Sequence, residues 1–535
     1  MDIRRRAFLG GASALAASLA TACAMPSGSS DRSSASPQAD GTLVFDPNAF
    51  EEKTTTVSTD AGEKKVTYRF FAPITYVAKP VNADYQSLVI SVPTSIEGKS
   101  VDATGAPIVF ANSVGGYLPA SVKDATEVGG SMSGGPMAGR MPSGSRGPGN
   151  GMPGPAGSSD EVNSGGNAMR GARGKMVNLA QLAVASGYVA VEPGCRGRTL
   201  VDGNGVYYGT APAAIVDLKA AVRYLRANAG RVPGNTDRIV STGTSAGGAL
   251  SALLGASGDS SLYSRYLDEV GAADGSDAIF ASGDWCPIAD LEHADGAYEW
   301  NWGTNPMSDG RQVDQAVSGQ MRDLFVGYQA SLELKGRNGF GALTPQNYAD
   351  YLLETYLQPS AARYLSALSD ADREAYLEQN TFITWRGDRA QFTWQDFLTH
   401  VGARKKTLPA FDAFDLSTGE NNLFGTGTTK ARHFTDFSAA HTTTGDRNLD
   451  ADIPGLRHLM NPMYFIAQQN PQRAKHWWIR LGTKDSDTSL TVSSNLAASL
   501  AALGDDVNHI MYWDEGHGAN TDAADFVEWI GKVTA

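Results

Sequence analysis

Apolar residues in the first quarter of the chain cluster in short runs with β-branched and aromatic members. These runs predict strands at 65–71, 86–93 and 107–112. Beyond about residue 174 the pattern changes. It predicts a helix over 176–186, a strand at 188–192, a helix over 212–228, a strand at 238–242 and a helix over 246–254. Strand and helix alternating at this spacing predict an α/β fold, a parallel sheet with helices on its faces. From about 286 to 461 the alternation stops, and helical segments with aromatic and polar residues take over, such as 345–356 and 359–379. Strands resume at 477–481 and 507–513, separated by a helix over 489–503. A sheet core formed by 42–285 and 462–535 is therefore expected to be split by a mostly helical insert, 286–461.

Two stretches fall outside this pattern. Residues 128–174 are rich in Gly, Ser, Pro and Met with almost no aromatic or β-branched members. They bury too little surface to offset their ordering entropy and read as a disordered insertion in the core. Residues 24–41 read as a flexible linker. Before them, Arg4-Arg5-Arg6-Ala7-Phe8-Leu9 precedes a weakly hydrophobic run ending at Leu19-Ala20-Thr21-Ala22-Cys23. That run suits a twin-arginine signal peptide, 1–23, better than a membrane span, which needs about 20 strongly apolar residues. Small residues before Cys23 are similar to a lipoprotein processing site, so Cys23 is the candidate lipid anchor, with ordinary signal cleavage as the alternative. The chain is expected to be exported, as a cell-surface lipoprotein or a secreted protein.

Composition narrows the partners. Of 535 residues 41% are apolar, and the formal charge is −13 with no basic blocks, which disfavours a nucleic-acid partner. Any membrane contact is expected only through the N-terminal anchor. Past the signal stand Cys195 and Cys286, each beside a predicted loop, and both a disulfide and two buried free thiols are open.

Gly243-Thr244-Ser245-Ala246-Gly247-Gly248 lies between a predicted strand and a predicted helix. A sharp strand-to-helix elbow requires glycines around an exposed nucleophile, and the helix behind it aims N–H groups at the reacting centre. Ser245 is therefore the candidate nucleophile of an α/β-hydrolase, in which an acid and then a histidine follow it along the chain. His517, in the glycine-flanked loop after the last strand, is the candidate base. His509 lies within a strand, and His433, His441 and His458 fall in the insert. Asp485 and Asp487 both follow the preceding strand and compete for the acid. Ala246 and a donor in the glycine turn 112–117 are the candidate oxyanion hole.

Many separate stretches resemble the bacterial tannases, relatives of the feruloyl esterases. They are Val114-Gly115-Gly116-Tyr117, Arg196-Gly197-Arg198, Ala211-Pro212-Ala213, Ile215-Val216-Asp217, Gly243 to Gly248 and Cys286-Pro287-Ile288. Glu292 to Asp295, Ala297 to Trp300, Pro409-Ala410-Phe411-Asp412 and Glu420 to Gly425 follow in order. The resemblance implies an α/β-hydrolase with a large helical lid domain over the sheet. It selects Asp485 for the triad, Gly116 for the oxyanion position, and Lys406, Glu420 and Asp487 as substrate-binding residues around the galloyl hydroxyls. Lys405 stands beside Lys406 and leaves a one-residue ambiguity.

The expected activity is serine-based hydrolysis of galloyl esters to gallate and alcohol. Hydrolysis of feruloyl or protocatechuoyl esters is the nearest alternative, and a non-catalytic polyphenol-binding lipoprotein a more distant one. The only expected partner is a small phenolic ester; no cofactor is expected, and the sequence presents no ligand set at metal-binding spacing.

Overall fold

The computed structural model describes residues 43–130, 132–133, 168–170 and 176–535. The signal, the linker, Cys23 and most of the 128–174 insertion lie outside the described residues.

The chain enters its main sheet through a hairpin, β1 (Glu51–Thr59) and β2 (Gly62–Thr75), paired antiparallel across two turn residues. Val66, Tyr68 and Phe70 are buried at every second position of β2, with Arg69 exposed between them, the alternation of a strand with one face on the core. Next along the chain come β3 (Ser87–Ile96), β4 (Pro107–Ala111), β5 (Val189–Pro193), β6 (Asn235–Thr244), β7 (Ala281–Trp285), β8 (His476–Gly482) and β9 (Asp506–Tyr512). Their order across the sheet is β1-β2-β3-β5-β4-β6-β7-β8-β9, and the short strand Lys99–Ser100 pairs with β3.

Only β5 to β9 and β4 run parallel; β1, β2 and β3 join antiparallel. The sheet is thus mixed rather than wholly parallel, because a two-residue turn permits only antiparallel pairing. Strands β5 and β7 are buried at every position, as parallel strands covered on both faces must be. Helices α2 (Ala213–Ala227) and α3 (Ala246–Ala256), with helix Leu490–Ala502, fill the core on one face. Helix α1 (Leu179–Ala185) and helix Ala523–Thr534 cover the other.

Two expected helices differ in their bounds. Residues 176–178 form a short strand, and α1 starts where the Asn178 side chain accepts from the Gln181 N–H at 3.0 Å. The helix expected over 359–379 is two, Gln358–Ala367 and Asp370–Gln379, the second capped by Ser369. Between β7 and β8 the chain is mainly helical, with two small hairpins. Its aromatic core of Tyr348, Tyr351, Phe392 and Phe397 packs on Leu481, Met511 and Trp513 at the ends of β8 and β9. Among the described residues no helix is long and apolar enough to cross a membrane.

Candidate active site

Five loops leave the carboxyl ends of neighbouring parallel strands: Gly116 follows β4, Ser245 β6, Cys286 β7, Asp485 β8 and His517 β9. Open α/β sheets bind ligands at this edge. Backbone hydrogen bonds carry the sheet order beyond the strands and fix the loops. Gly247 N donates to Val114 O at 3.0 Å, Ser245 N to Trp285 O at 2.9 Å, Cys286 N to Arg480 O at 2.7 Å and Lys484 N to Glu515 O at 2.9 Å.

The elbow is strained and crowded. Ser245 has φ 61° and ψ −122°, a conformation an L-residue holds at a cost of about 1–3 kcal/mol. A Cβ on Gly243 would stand 2.4 Å from the Asn112 amide, and one on Gly247 2.6 Å from its oxygen. That amide donates to Thr242 O and Gly247 O at 3.1 and 3.0 Å. Helix α3 begins at Ala246, whose N–H has no carbonyl a turn earlier within the helix. Across from it, Gly116 at φ 53° and Tyr117 at φ 56° turn the chain sharply. The buried Tyr117 hydroxyl anchors this turn by donating to Ile288 O at 2.9 Å.

His517 Nδ1 lies 2.8 Å from Asp485 Oδ2. The carboxylate is fully buried and the imidazole side chain 21% exposed. Burial pulls the imidazolium's pKa down, but Asp485 and then Cys286 oppose it and hold it well above the ordinary histidine value. Asp485 Oδ1 accepts the Asp487 N–H at 2.9 Å, so one aspartate is turned towards the ring and also positions the other. Behind the histidine loop, Asp514 is clamped by His400 at 2.6 Å, Lys484 at 3.0 Å and the Tyr376 hydroxyl. His509 is buried within β9 against Tyr356, where burial lowers its pKa. His433 is held by Asp412 at 2.7 Å.

The insert contributes charge to the same edge. Lys405 Nζ lies 3.0 Å from both Asp487 carboxylate oxygens. Lys406 Nζ instead sits 4.1 Å from the centre of the Phe411 ring. Burial alone would raise the Asp487 carboxyl; His517, Lys405 and Lys406 outweigh it and hold it below the usual carboxylate range. Both lysine backbone N–H groups donate to the Tyr298 hydroxyl, which donates to Ser486 O at 2.9 Å. Beneath them Arg404 and Glu299 form an ion pair buried on both sides, Nη1 to Oε2 at 2.9 Å, and Arg404 also donates to Lys406 O and Thr407 O. Glu420 lies on the short helix Gly419–Leu423, capped by Thr418. Tyr117 resists ionisation first because it is buried and then because Glu420 is negative nearby.

The chain is 32% identical to a tannin acyl hydrolase solved in complex with ethyl gallate, with a TM-score of 0.74 over 92% of this chain and 99% of that one. A tannase from Fusobacterium nucleatum is 33% identical, with a TM-score of 0.72 over 93% and 100%. The native tannin acyl hydrolase from Lactobacillus plantarum is 32% identical, with a TM-score of 0.73 over 92% and 99%.

The chain belongs to the tannase family.

The family model BD-FAE also matches residues 165–317. No curated protein matches the sequence. Membership of the tannase family makes the chain a carboxylic ester hydrolase on an α/β-hydrolase fold.

Hydrogen bonds between distant segments hold the site together. Asp295 accepts from the Phe411 and Asp412 N–H groups at 2.7 and 3.1 Å, and Asn421 donates to Asp412 at 2.7 Å. Reading charged residues singly hides this scaffold, since its partners lie far apart in sequence. Cys195 and Cys286 are free, buried thiols. Cys286 Sγ lies 3.9 Å from His517 Nε2, a proximity concealed by 231 residues of chain.

Proposed function

We propose that the chain hydrolyses galloyl esters through an acyl-serine intermediate. His517, oriented by Asp485, takes the Ser245 proton as the hydroxyl attacks the ester carbonyl. The N–H groups of Gly116 and Ala246 receive the oxyanion, and His517 then protonates the leaving alcohol. Water, deprotonated by the same ring, attacks the acyl-serine and releases gallate and the serine hydroxyl.

The reading rests chiefly on the His517–Asp485 contact of 2.8 Å on the same sheet edge as the strained Ser245 elbow. Substrate choice follows from the charges beside it. Asp487 and Glu420 accept from the phenolic hydroxyls, and Lys406, with Lys405 next to it, donates to their oxygens. A relative binds ethyl gallate, in keeping with this choice. Residues 286–461 act as the lid. Residues 1–23 direct export through the twin-arginine pathway, and Cys23 carries the lipid.

Initial rates on methyl gallate, methyl protocatechuate and methyl ferulate test the substrate. The expected order places gallate first, because acceptors that the substrate covers but leaves without hydroxyls are penalised. Equal rates on all three esters would remove the galloyl preference.

A further inference from the structure

We propose that Cys286 and His517 also form a binding site for one thiophilic divalent cation of the zinc or cadmium type, whose occupation stops ester hydrolysis. The inhibitory half rests on the proposed role of His517; the binding half does not.

The donors are assembled by the fold. Cys286 follows β7, between the strands that carry Ser245 and Asp485, and its Sγ is 3.9 Å from His517 Nε2. A thiolate and an imidazole on one tetrahedral zinc, at about 2.3 and 2.0 Å from the metal, lie about 3.5 Å apart. Ligand atoms from Cys286, Asp485 and His517 all fall within 4.8 Å of one another.

Orientation favours the same site. Asp485 Oδ2 occupies Nδ1 of His517 at 2.8 Å, which turns Nε2 towards the sulfur. Carboxylate, histidine and metal in series is the usual outer-shell arrangement of metal-bound histidines. Cys286 is fixed by its φ of 38° and by its N–H bond to Arg480 O at 2.7 Å. Cys286 is 3% exposed, and the partly exposed imidazole provides the approach. A sulfur and nitrogen pair selects zinc and cadmium over magnesium and calcium, which take oxygen ligands.

On binding, the thiol proton and the Nε2 proton of the imidazolium leave to solvent as the metal–sulfur and metal–nitrogen bonds form, while Nδ1 keeps its hydrogen and its bond to Asp485. Nε2 is the atom assigned to accept the Ser245 proton. A metal on it leaves the nucleophile without a base.

Cadmium titration followed by thiolate-to-metal ultraviolet absorbance reads binding directly, and it is done in Ser245→Ala as well as wild type. The expected band saturates in one step in both. It disappears in Cys286→Ser and Cys286→Ala, and persists in Cys195→Ser and Cys23→Ser. Zinc is expected to inhibit methyl gallate hydrolysis reversibly, with EDTA restoring the rate and magnesium having no effect. The half-inhibiting zinc concentration should rise at least about 10-fold in Cys286→Ser. Absence of the band in wild type, or its survival in both Cys286 variants, would overturn the site. A band in Ser245→Ala without zinc inhibition of the wild type would overturn the inhibitory role. A band in a wild type with no esterase activity would leave the site standing and remove the proposed function.

Discussion

Arg198 donates from Nε to the carbonyl oxygen of Gly116 at 2.7 Å, and from Nη1 to the Asn422 side chain at 3.2 Å. One guanidinium thereby ties the turn assigned to the oxyanion to the short helix carrying Glu420. A Cβ on Gly419 would stand 2.8 Å from that guanidinium, so a larger residue there would push on the arginine. Arg198 is a positioning residue in this arrangement.

Arg198→Ala is expected to lower kcat/KM for methyl gallate by about 100-fold, the scale associated with misplacing a catalytic group by about an ångström. Arg198→Lys should recover little, because an ammonium lacks the planar fork that serves two acceptors. Steady-state kinetics beside thermal unfolding distinguish this from loss of folding.

The two lysines have different surroundings. Lys405 is 61% exposed and already paired with Asp487, a class of ion pair worth about 0–1 kcal/mol to stability. Lys406 lies over Phe411 rather than on a carboxylate, which leaves its ammonium for a substrate oxygen. Lys406→Ala is expected to reduce kcat/KM for methyl gallate by about 10- to 100-fold, the value of one charge-assisted hydrogen bond. Lys405→Ala should cost less. Kinetics of the two variants on the same ester decide the assignment.

Asp284, beneath the elbow, is fully buried, and burial pushes its carboxyl up to about 8 against the bond it accepts from Ser282 at 2.6 Å. A folded-state pKa above the unfolded value means the native state holds the extra proton, so stability falls as pH rises between the two. The slope is up to roughly 1.4 kcal/mol per pH unit between about pH 4 and pH 8. Asp284→Asn should remove that slope, leaving the variant close to wild type near pH 4 and more stable than it at about pH 8. Denaturant unfolding at the two pH values checks this.

The alternation of strands and helices made the core legible from sequence, and the glycines about Ser245 marked the elbow because the backbone there has no room for a Cβ. The antiparallel entry, strand β7 and the last helix were not read. Strand β7 is only five residues long and carries Asp284, so it lacks an uninterrupted apolar run. Spacing left Asp485 and Asp487 even; the contact of Asp485 with His517 and of Asp487 with Lys405 separates their surroundings. Arg198, Glu299 and Cys286 stood inside stretches that resemble tannases, yet their partners could be seen only once the chain was folded.

Ser245 carries the central claim. Methyl gallate mixed with enzyme, quenched in acid and digested, is expected to yield the Ser245 peptide bearing a galloyl ester. Ser245→Ala should show no adduct and lose about 10⁴-fold or more of kcat. Hydrolysis by Ser245→Ala within about tenfold of wild type, well short of the loss expected for a removed nucleophile, would contradict the assignment.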